Sequence, residues 1–147
     1  MTKNLELAEI FRHLADLLAY RGENPFKIRA YRRAAEALEG LEEDVEVLAA
    51  EGRLEDVPGI GKAIAGKIGE YLRTGRMRKY EEALRGVPRG AAELLKLPGL
   101  GPKTVARMVD MGVGDIEALR RALAEGRSLP GFSERRLEEL RRALKLA

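Results

Sequence analysis

Val57-Pro58-Gly59-Ile60-Gly61-Lys62 and, 40 residues later, Leu97-Pro98-Gly99-Leu100-Gly101-Pro102 are two copies of one pattern. Each copy follows a short apolar run and opens an amphipathic segment of helical period. Pro58 and Pro98 disfavour helix at the residue before them, so each ends an incoming element. Two glycines around one apolar residue reverse the chain in very few residues. Glycine supplies positive φ at no steric cost and leaves the backbone bare to an approaching anion. Ile60 and Leu100 can point inward and pin the turn, while the helix that follows starts with unpaired N–H groups and a partial positive charge. The pattern predicts a helix-hairpin-helix turn that offers a phosphate site. A dinucleotide-binding fingerprint does not fit, because no strand precedes either copy and no third glycine falls in register.

Outward from these turns the chain reads as helix throughout. Leu7, Ile10, Phe11, Leu14, Leu17 and Leu18 predict a first helix over about residues 4–21. Asn24-Pro25 is a helix start, with Asn as N-cap and Pro at the first helical position, so a second helix is expected over about 25–39, stopping at Gly40. Asp44 caps a short third helix through Ala50, with Gly52 as its terminator. Residues 53–57, the first turn and a helix over about 62–73 form the first hairpin unit, closed by Thr74-Gly75. A shorter helix follows over about 77–85, and Gly86-Val87-Pro88-Arg89-Gly90 reads as a linker dividing domains at 1–86 and 87–147. The second unit repeats the plan with 91–96, the turn, and a helix over about 102–111 ended by Gly112. Asp115 caps a further helix to about residue 125, and Pro130-Gly131-Phe132-Ser133 reads as a third, degenerate turn before a helix over about 133–145. Alternating β-branched residues are absent over any useful length. The expected fold is all-α: two tandem helix-hairpin-helix units in a compact helical array, with no sheet.

Composition narrows the function classes. The 147 residues fit one domain or two very small ones, and 45% apolar content suffices for a packed core. No apolar run approaches the ~18 residues of a membrane span, and the N-terminus carries no signal-peptide pattern, so a cytoplasmic, nucleoid-associated protein with no membrane partner is expected. Zero cysteines exclude a disulfide framework and a thiolate metal site, and the single histidine, His13, excludes a histidine cluster. His13 itself is expected on a helix surface. The 35% charged content, without Cys or Trp, suits a thermophile. Charge is divided along the chain: residues 1–60 hold 13 Asp/Glu against 8 Lys/Arg, and residues 61–147 hold 19 Lys/Arg against 11 Asp/Glu. A basic C-terminal part is the footprint of a phosphate-rich partner.

Lys62 and Lys67 follow the first turn, and Lys103 and Arg107 the second. Turns and cations together predict DNA binding through the backbone, which fixes position without reading sequence and weakens as salt rises. Carbonyls before and within such a turn can also converge on a monovalent cation, Na+ or K+; no other cofactor is required. The chain prefers Arg to Lys, 19 to 8, yet Lys27, Lys62, Lys67 and Lys79 gather around the first hairpin. Adding 40 lays Lys67 on Arg107. An amine forms a Schiff base and a guanidinium does not, so the first hairpin helix has a candidate nucleophile where the second has a clamp. Lys27 and Tyr31 share a helix face at i and i+4. Should that helix pack beside the hairpin, Lys67 would lie among cations, a setting that lowers an amine's pKa. The plainer reading is that all four lysines are solvated or contact phosphates.

Asn-Pro-Phe-Lys-Ile-Arg-Ala-Tyr-Arg-Arg-Ala-Ala (24–35), Val-Pro-Gly-Ile-Gly-Lys-Ala-Ile-Ala-Gly-Lys-Ile (57–68) and Arg-Thr-Gly-Arg-Met-Arg-Lys (73–79) together resemble the N-terminal lyase domain of family X DNA polymerases, which are polymerase β-like, bacterial and archaeal members being the nearest comparison. Leu-Pro-Gly-Leu-Gly-Pro-Lys-Thr (97–104) resembles the second helix-hairpin-helix, in the domain that follows. The resemblance covers nearly the whole chain. It implies binding on the 5′ side of gapped DNA and removal of a 5′-deoxyribose phosphate by Schiff base and β-elimination at Lys67. Lys27 and Tyr31 match residues beside the phosphate pocket, and Lys79 matches a further basic residue. The family has a lysine where this chain has Ala63, with Lys62 next to it. Cation-binding carbonyls would be those of Glu55, Val57 and Ile60 in the first hairpin, and of Leu95, Leu97 and Leu100 in the second. No Asp-x-Asp metal motif occurs, and residue 147 falls about where a polymerase palm would begin, so nucleotide transfer is not expected of this chain alone.

Two classes of function follow. One is a DNA-binding module for gapped, nicked or 5′-ended DNA and single-strand ends in repair, with Lys27, Tyr31, Gly59, Gly61, Lys62, Lys79, Gly99, Gly101, Lys103, Thr104 and Arg107 on the phosphates. The other is a lyase with Lys67 as nucleophile. A third reading is an adaptor that docks a repair nuclease or polymerase.

Overall fold

The computed structural model of the chain describes residues 2–127, 129 and 131–145. They form helices α1 (Lys3–Tyr20), α2 (Pro25–Glu39), α3 (Val45–Ala50), α4 (Lys62–Thr74), α5 (Arg78–Arg85), α6 (Arg89–Leu94), α7 (Pro102–Asp110), α8 (Ile116–Ala124) and α9 (Glu134–Ala143), with a single 3-10 turn at Leu54–Asp56. No strand occurs among the described residues. The chain divides into two compact units, Met1–Ala83 and Leu84–Ala147.

The first unit is built around α1, which packs along α2. α1 buries Leu7, Phe11, Leu14, Leu17 and Leu18 as its apolar spacing requires, but also Asn4 and His13. Each fully buried Leu contributes roughly 1.5–3 kcal/mol. His13 is therefore not the surface residue expected from the sequence. Only 6% of it is exposed, and its Nδ1 lies 2.7 Å from the Tyr80 hydroxyl of α5, with the rings edge to face. α1 is covered on more than one side, and a second partner helix makes a core position of a residue beside the main stripe. Asn4 ties the 41–45 loop to α1: its amide donates to Glu43 O (2.8 Å) and its oxygen accepts from Val45 N (2.8 Å). α4 is tied to α1 by the Tyr71 hydroxyl, which donates to Glu6 at 2.6 Å.

The second unit buries Ala91, Leu94, Leu100, Val105, Met108, Leu119 and Leu140, among others. Of the expected linker 86–90, residues 86–88 join α5 to α6 and the last two residues are helical. Pro88 is the N-cap of α6, and Arg89 and Gly90 lie within that helix. A Cβ on Gly90 would stand 2.3 Å from the Gly114 carbonyl oxygen, so this glycine permits close packing rather than flexibility. In the third turn, Phe132 N–H donates to Leu129 O (3.1 Å) and Gly131 has φ +85°; Pro130, expected to open it, lies outside the described residues.

Candidate nucleic-acid interface

The two glycines of each hairpin do different work. Gly59 (φ +97°) and Gly99 (φ +76°) take the left-handed conformation that turns the chain. Gly61 and Gly101 do not: at φ −90° and −85°, with ψ −173° and 173°, they are extended N-caps of α4 and α7. A Cβ on either would meet nothing within 4 Å. Neither conformation nor crowding inside the chain requires glycine there. Ile60 and Leu100 are buried, and their N–H groups donate to Val57 O (3.0 Å) and Leu97 O (3.3 Å), closing each turn.

The helix caps sharpen the contrast. Thr2, Asn24, Asp44, Asp115 and Ser133 each accept a backbone N–H at the start of α1, α2, α3, α8 and α9. Like the short α6 behind Pro88, α4 and α7 receive no side-chain cap. Their first N–H groups point out of the helix end without a protein acceptor from the cap position, which is the arrangement that takes an anion. Pro102 at the first position of α7 removes one donor that the helix would not have used internally.

α2 lies against the first hairpin. The Cβ position of Gly59 is 3.2 Å from Arg33 Cγ, 3.3 Å from the Arg33 carbonyl oxygen and 3.3 Å from Ala37 Cβ. Two residues before Arg33 on α2, the Tyr31 ring receives Lys67 Nζ at 5.9 Å from its centroid. Tyr31 is 6% exposed and stacked on Phe11 at 5.9 Å, and burial raises its hydroxyl's pKa. It thus stands behind the amine as a fixed wall. Lys67 is half-buried, and the partner given to it is an aromatic face that attracts its ammonium. Lys27 and Lys62 are exposed, and Lys79 is half-buried. In the second unit Lys103 and Arg107 are exposed and Thr104 is half-buried. Arg107 Nη1 reaches toward the third turn, 3.7 Å from the Cβ position of Gly131.

Ion pairing leaves these cations uncompensated, a property they share with Arg29, Arg33, Arg73 and other described residues. Arg12, Arg21, Arg32, Arg53, Arg76, Arg78, Arg89, Arg135 and Arg141 each pair with a carboxylate. Among the described residues, none of Lys27, Lys62, Lys67, Lys79, Lys103 and Arg107 does. Two residues passed over in the sequence also belong here. Phe26 is 74% exposed at the start of α2, with the Arg29 guanidinium 4.7 Å from its ring centroid. Arg136 of α9 donates from Nη2 to the carbonyl of Gly99. An aromatic residue at the first turn of a capped helix is a local signal that could have marked Phe26. Nothing local marks Arg136, whose partner is 37 residues away.

Among the described residues no cluster of three His, Cys, Asp or Glu side chains could hold a metal ion. The carbonyls of Val57 and Leu97 each accept one N–H and keep a lone pair. No described helix is long and apolar enough to cross a membrane.

Comparison with known proteins agrees with this architecture. Over 142 residues, 95% of its length, the chain is 34% identical to the DNA polymerase/3′-5′ exonuclease PolX of Bacillus subtilis (strain 168). It spans 24% of that protein's length. Residues 2–77 match the helix-hairpin-helix domain family, and residues 91–146 match the SAM-like helix-hairpin-helix tandem. The tandem match covers both the second Pro-Gly-x-Gly copy and the Gly131–Ser133 stretch. The chain thus belongs to the helix-hairpin-helix family, in a two-part arrangement of the kind found in a family X polymerase.

Proposed function

We propose that the chain is a sequence-independent DNA-binding module that grips backbone phosphates at the N-termini of α4 and α7 in DNA repair. One observation carries this reading: the two helices entered through the repeated turns are glycine-capped, with open space at Gly61 and Gly101, where five other helices carry side-chain caps. The glycines leave room for a phosphate, Lys62 and Lys103 lie in the first turns of the two helices, and Lys27 and Lys79 are further cations of the first unit that this reading assigns to phosphates. Gapped, nicked or 5′-ended DNA is the favoured form, because exposed Phe26 with Arg29 above it offers a flat surface on which an unpaired base stacks. Carbonyls of Glu55, Val57, Ile60, Leu95, Leu97 and Leu100 are the groups that would hold a Na+ or K+ ion at each turn. The test is fluorescence anisotropy on gapped and intact duplexes of unrelated sequence across a salt series. Two phosphates per hairpin give a slope of log affinity against log salt of about −3.6. A slope near zero, or strong dependence on base sequence, would refute the reading.

A second reading, 5′-deoxyribose phosphate lyase, is favoured by Lys67 standing half-buried against Tyr31 beside the first hairpin. After losing its proton, Nζ adds to the C1′ aldehyde and water leaves to give an iminium. Removal of a C2′ proton then expels the C3′ phosphate oxygen and frees the DNA 5′-phosphate. Borohydride trapping on such DNA is expected to give a covalent adduct that Lys67→Arg abolishes and Lys103→Ala retains. Failure of the unmodified chain to form an adduct would leave binding alone.

A further inference from the structure

The third turn does not repeat the first two. Ser133 caps α9 with its own hydroxyl, which accepts the Arg136 N–H at 3.2 Å, so this helix start is already satisfied. What α9 delivers is the Arg136 side chain. Its Nη2 donates to the Gly99 carbonyl, and its guanidinium carbon lies 5.0 Å from the Phe132 ring centroid. The Gly99–Leu100 peptide is therefore held at both ends, because Leu100 N–H donates to Leu97 O at 3.3 Å. The approach is reciprocal, with Arg107 of α7 extended toward Gly131 of the third turn. Arg135 and Arg141 on the same helix pair with Glu139 and Glu138, whereas no described carboxylate pairs with Arg136. A guanidinium has five N–H donors. A backbone carbonyl neutralises none of its charge.

We propose that Arg136 is a phosphate ligand of the second hairpin, supplied in cis by the degenerate third unit: one N–H braces the Gly99 carbonyl, and the remaining donors take a DNA phosphate beside the N-terminus of α7. The third unit has given up its own phosphate site, through Ser133, and contributes a cation to its neighbour's. This rests on the DNA-binding reading above and adds to it a residue and a reason for the third turn. At the first hairpin Gly59 instead faces the Arg33 side-chain stem, the Arg33 carbonyl and Ala37 of α2, and no described side chain donates to its carbonyl as Arg136 does to that of Gly99.

The test uses the full chain, a labelled one-nucleotide-gapped duplex and anisotropy over a salt series, with Arg136→Ala, Arg136→Gln, Arg136→Lys and Arg135→Ala. Far-UV circular dichroism checks that each variant is folded. Gln retains an N–H donor for Gly99 but no charge, and Lys retains the charge. Loss of one phosphate contact flattens the salt slope by about 0.9 and weakens binding about eightfold at 0.1 M salt. That result is expected for both Ala and Gln, with the slope restored in Lys and unchanged in Arg135→Ala. An Arg136→Gln variant with wild-type affinity and slope would overturn the proposal and leave Arg136 a brace only. If the unmodified chain itself shows no salt-dependent binding, the DNA-binding reading falls first and this proposal with it.

Discussion

Replacing Gly61 and Gly101 with aspartate is expected to strengthen the fold and weaken the grip on DNA, two effects that one structural defect would not produce together. Both glycines hold φ near −90° and have open space where a Cβ would go. An Asp side chain therefore enters without strain. It can accept the first helical N–H groups as Asn24, Asp44 and Asp115 do in this chain, at 2.9, 2.8 and 2.7 Å. Asp is a better N-cap than Gly by a few tenths of a kcal/mol, and its charge at a helix start adds about 0.3–1 kcal/mol. Each substitution should thus stabilise its unit by about 0.5–1 kcal/mol, which for a domain of this size raises Tm by about 4–8 °C per kcal/mol. The same carboxylate occupies the N–H groups a phosphate would use. Loss of one phosphate costs about eightfold in affinity at 0.1 M salt, so the double variant should bind about 60-fold more weakly, with a slope flatter by about 1.8. Like-charge repulsion makes these lower bounds. Thermal melts by circular dichroism and anisotropy on gapped DNA read the two effects separately. Unchanged affinity with a raised Tm would refute the phosphate cradle, and a lowered Tm would refute the capping geometry.

Other perturbations test the scaffold that holds the site. Gly90→Ala would place a methyl 2.3 Å from the Gly114 carbonyl oxygen; overpacking of this kind costs about 1–3 kcal/mol, measurable as a lower urea midpoint. Asn4→Ala strands Glu43 O and Val45 N, which it holds at 2.8 Å each; a loss of about 2 kcal/mol is expected, with faster amide exchange confined to the 41–45 loop. Tyr71→Phe removes the hydroxyl that donates to Glu6. That bond pushes the Tyr71 hydroxyl up from 10.0 to about 12, and it is the first cause, with Lys3 after it, of the Glu6 carboxyl lying below its ordinary 4.5. The folded state holds the tyrosine proton more tightly than the unfolded state, so this stability is complete below pH 10 and lost on rising toward about 12. The lowered Glu6 value adds a contribution complete above 4.5 and lost as pH falls below it. The wild-type advantage over Tyr71→Phe should therefore be flat between these limits and shrink outside them, as followed by denaturation across pH.

What the sequence disclosed and what it withheld divide by range. Asn24-Pro25, Asp44, Asp115, Gly75 and Gly112 act within a few residues of themselves, and each helix boundary they imply is present within a residue or two. The fold class followed, because no other element competes with helices that are capped and spaced this way. Burial of His13 depends on Tyr80, 67 residues away. Gly90 reads as a linker residue until Gly114 arrives beside it. Arg136 is one of many arginines until α9 sets it on Gly99. The unlike roles of the two glycines in each hairpin were equally hidden, since both residues look the same until φ is known.

The hairpins prove less alike in their surroundings than in their sequences. The substitution of Lys67 by Arg107 between them is the smaller part of that difference. Lys67 is half-buried and rests against Tyr31, itself fixed by Phe11 and the core of the first unit. Arg107 is exposed and extends toward Gly131. An amine carried to position 107 would stay at the surface beside the third turn, without the wall that Tyr31 provides. A reactive amine needs a held position, since free rotation squanders proximity. Arg107→Lys is therefore not expected to create a second trapping site in borohydride experiments, even though it reproduces the first hairpin's Gly-x-Gly-to-Lys spacing. An adduct at that position would mean that spacing alone is sufficient, and that Tyr31 contributes nothing to the first site beyond packing.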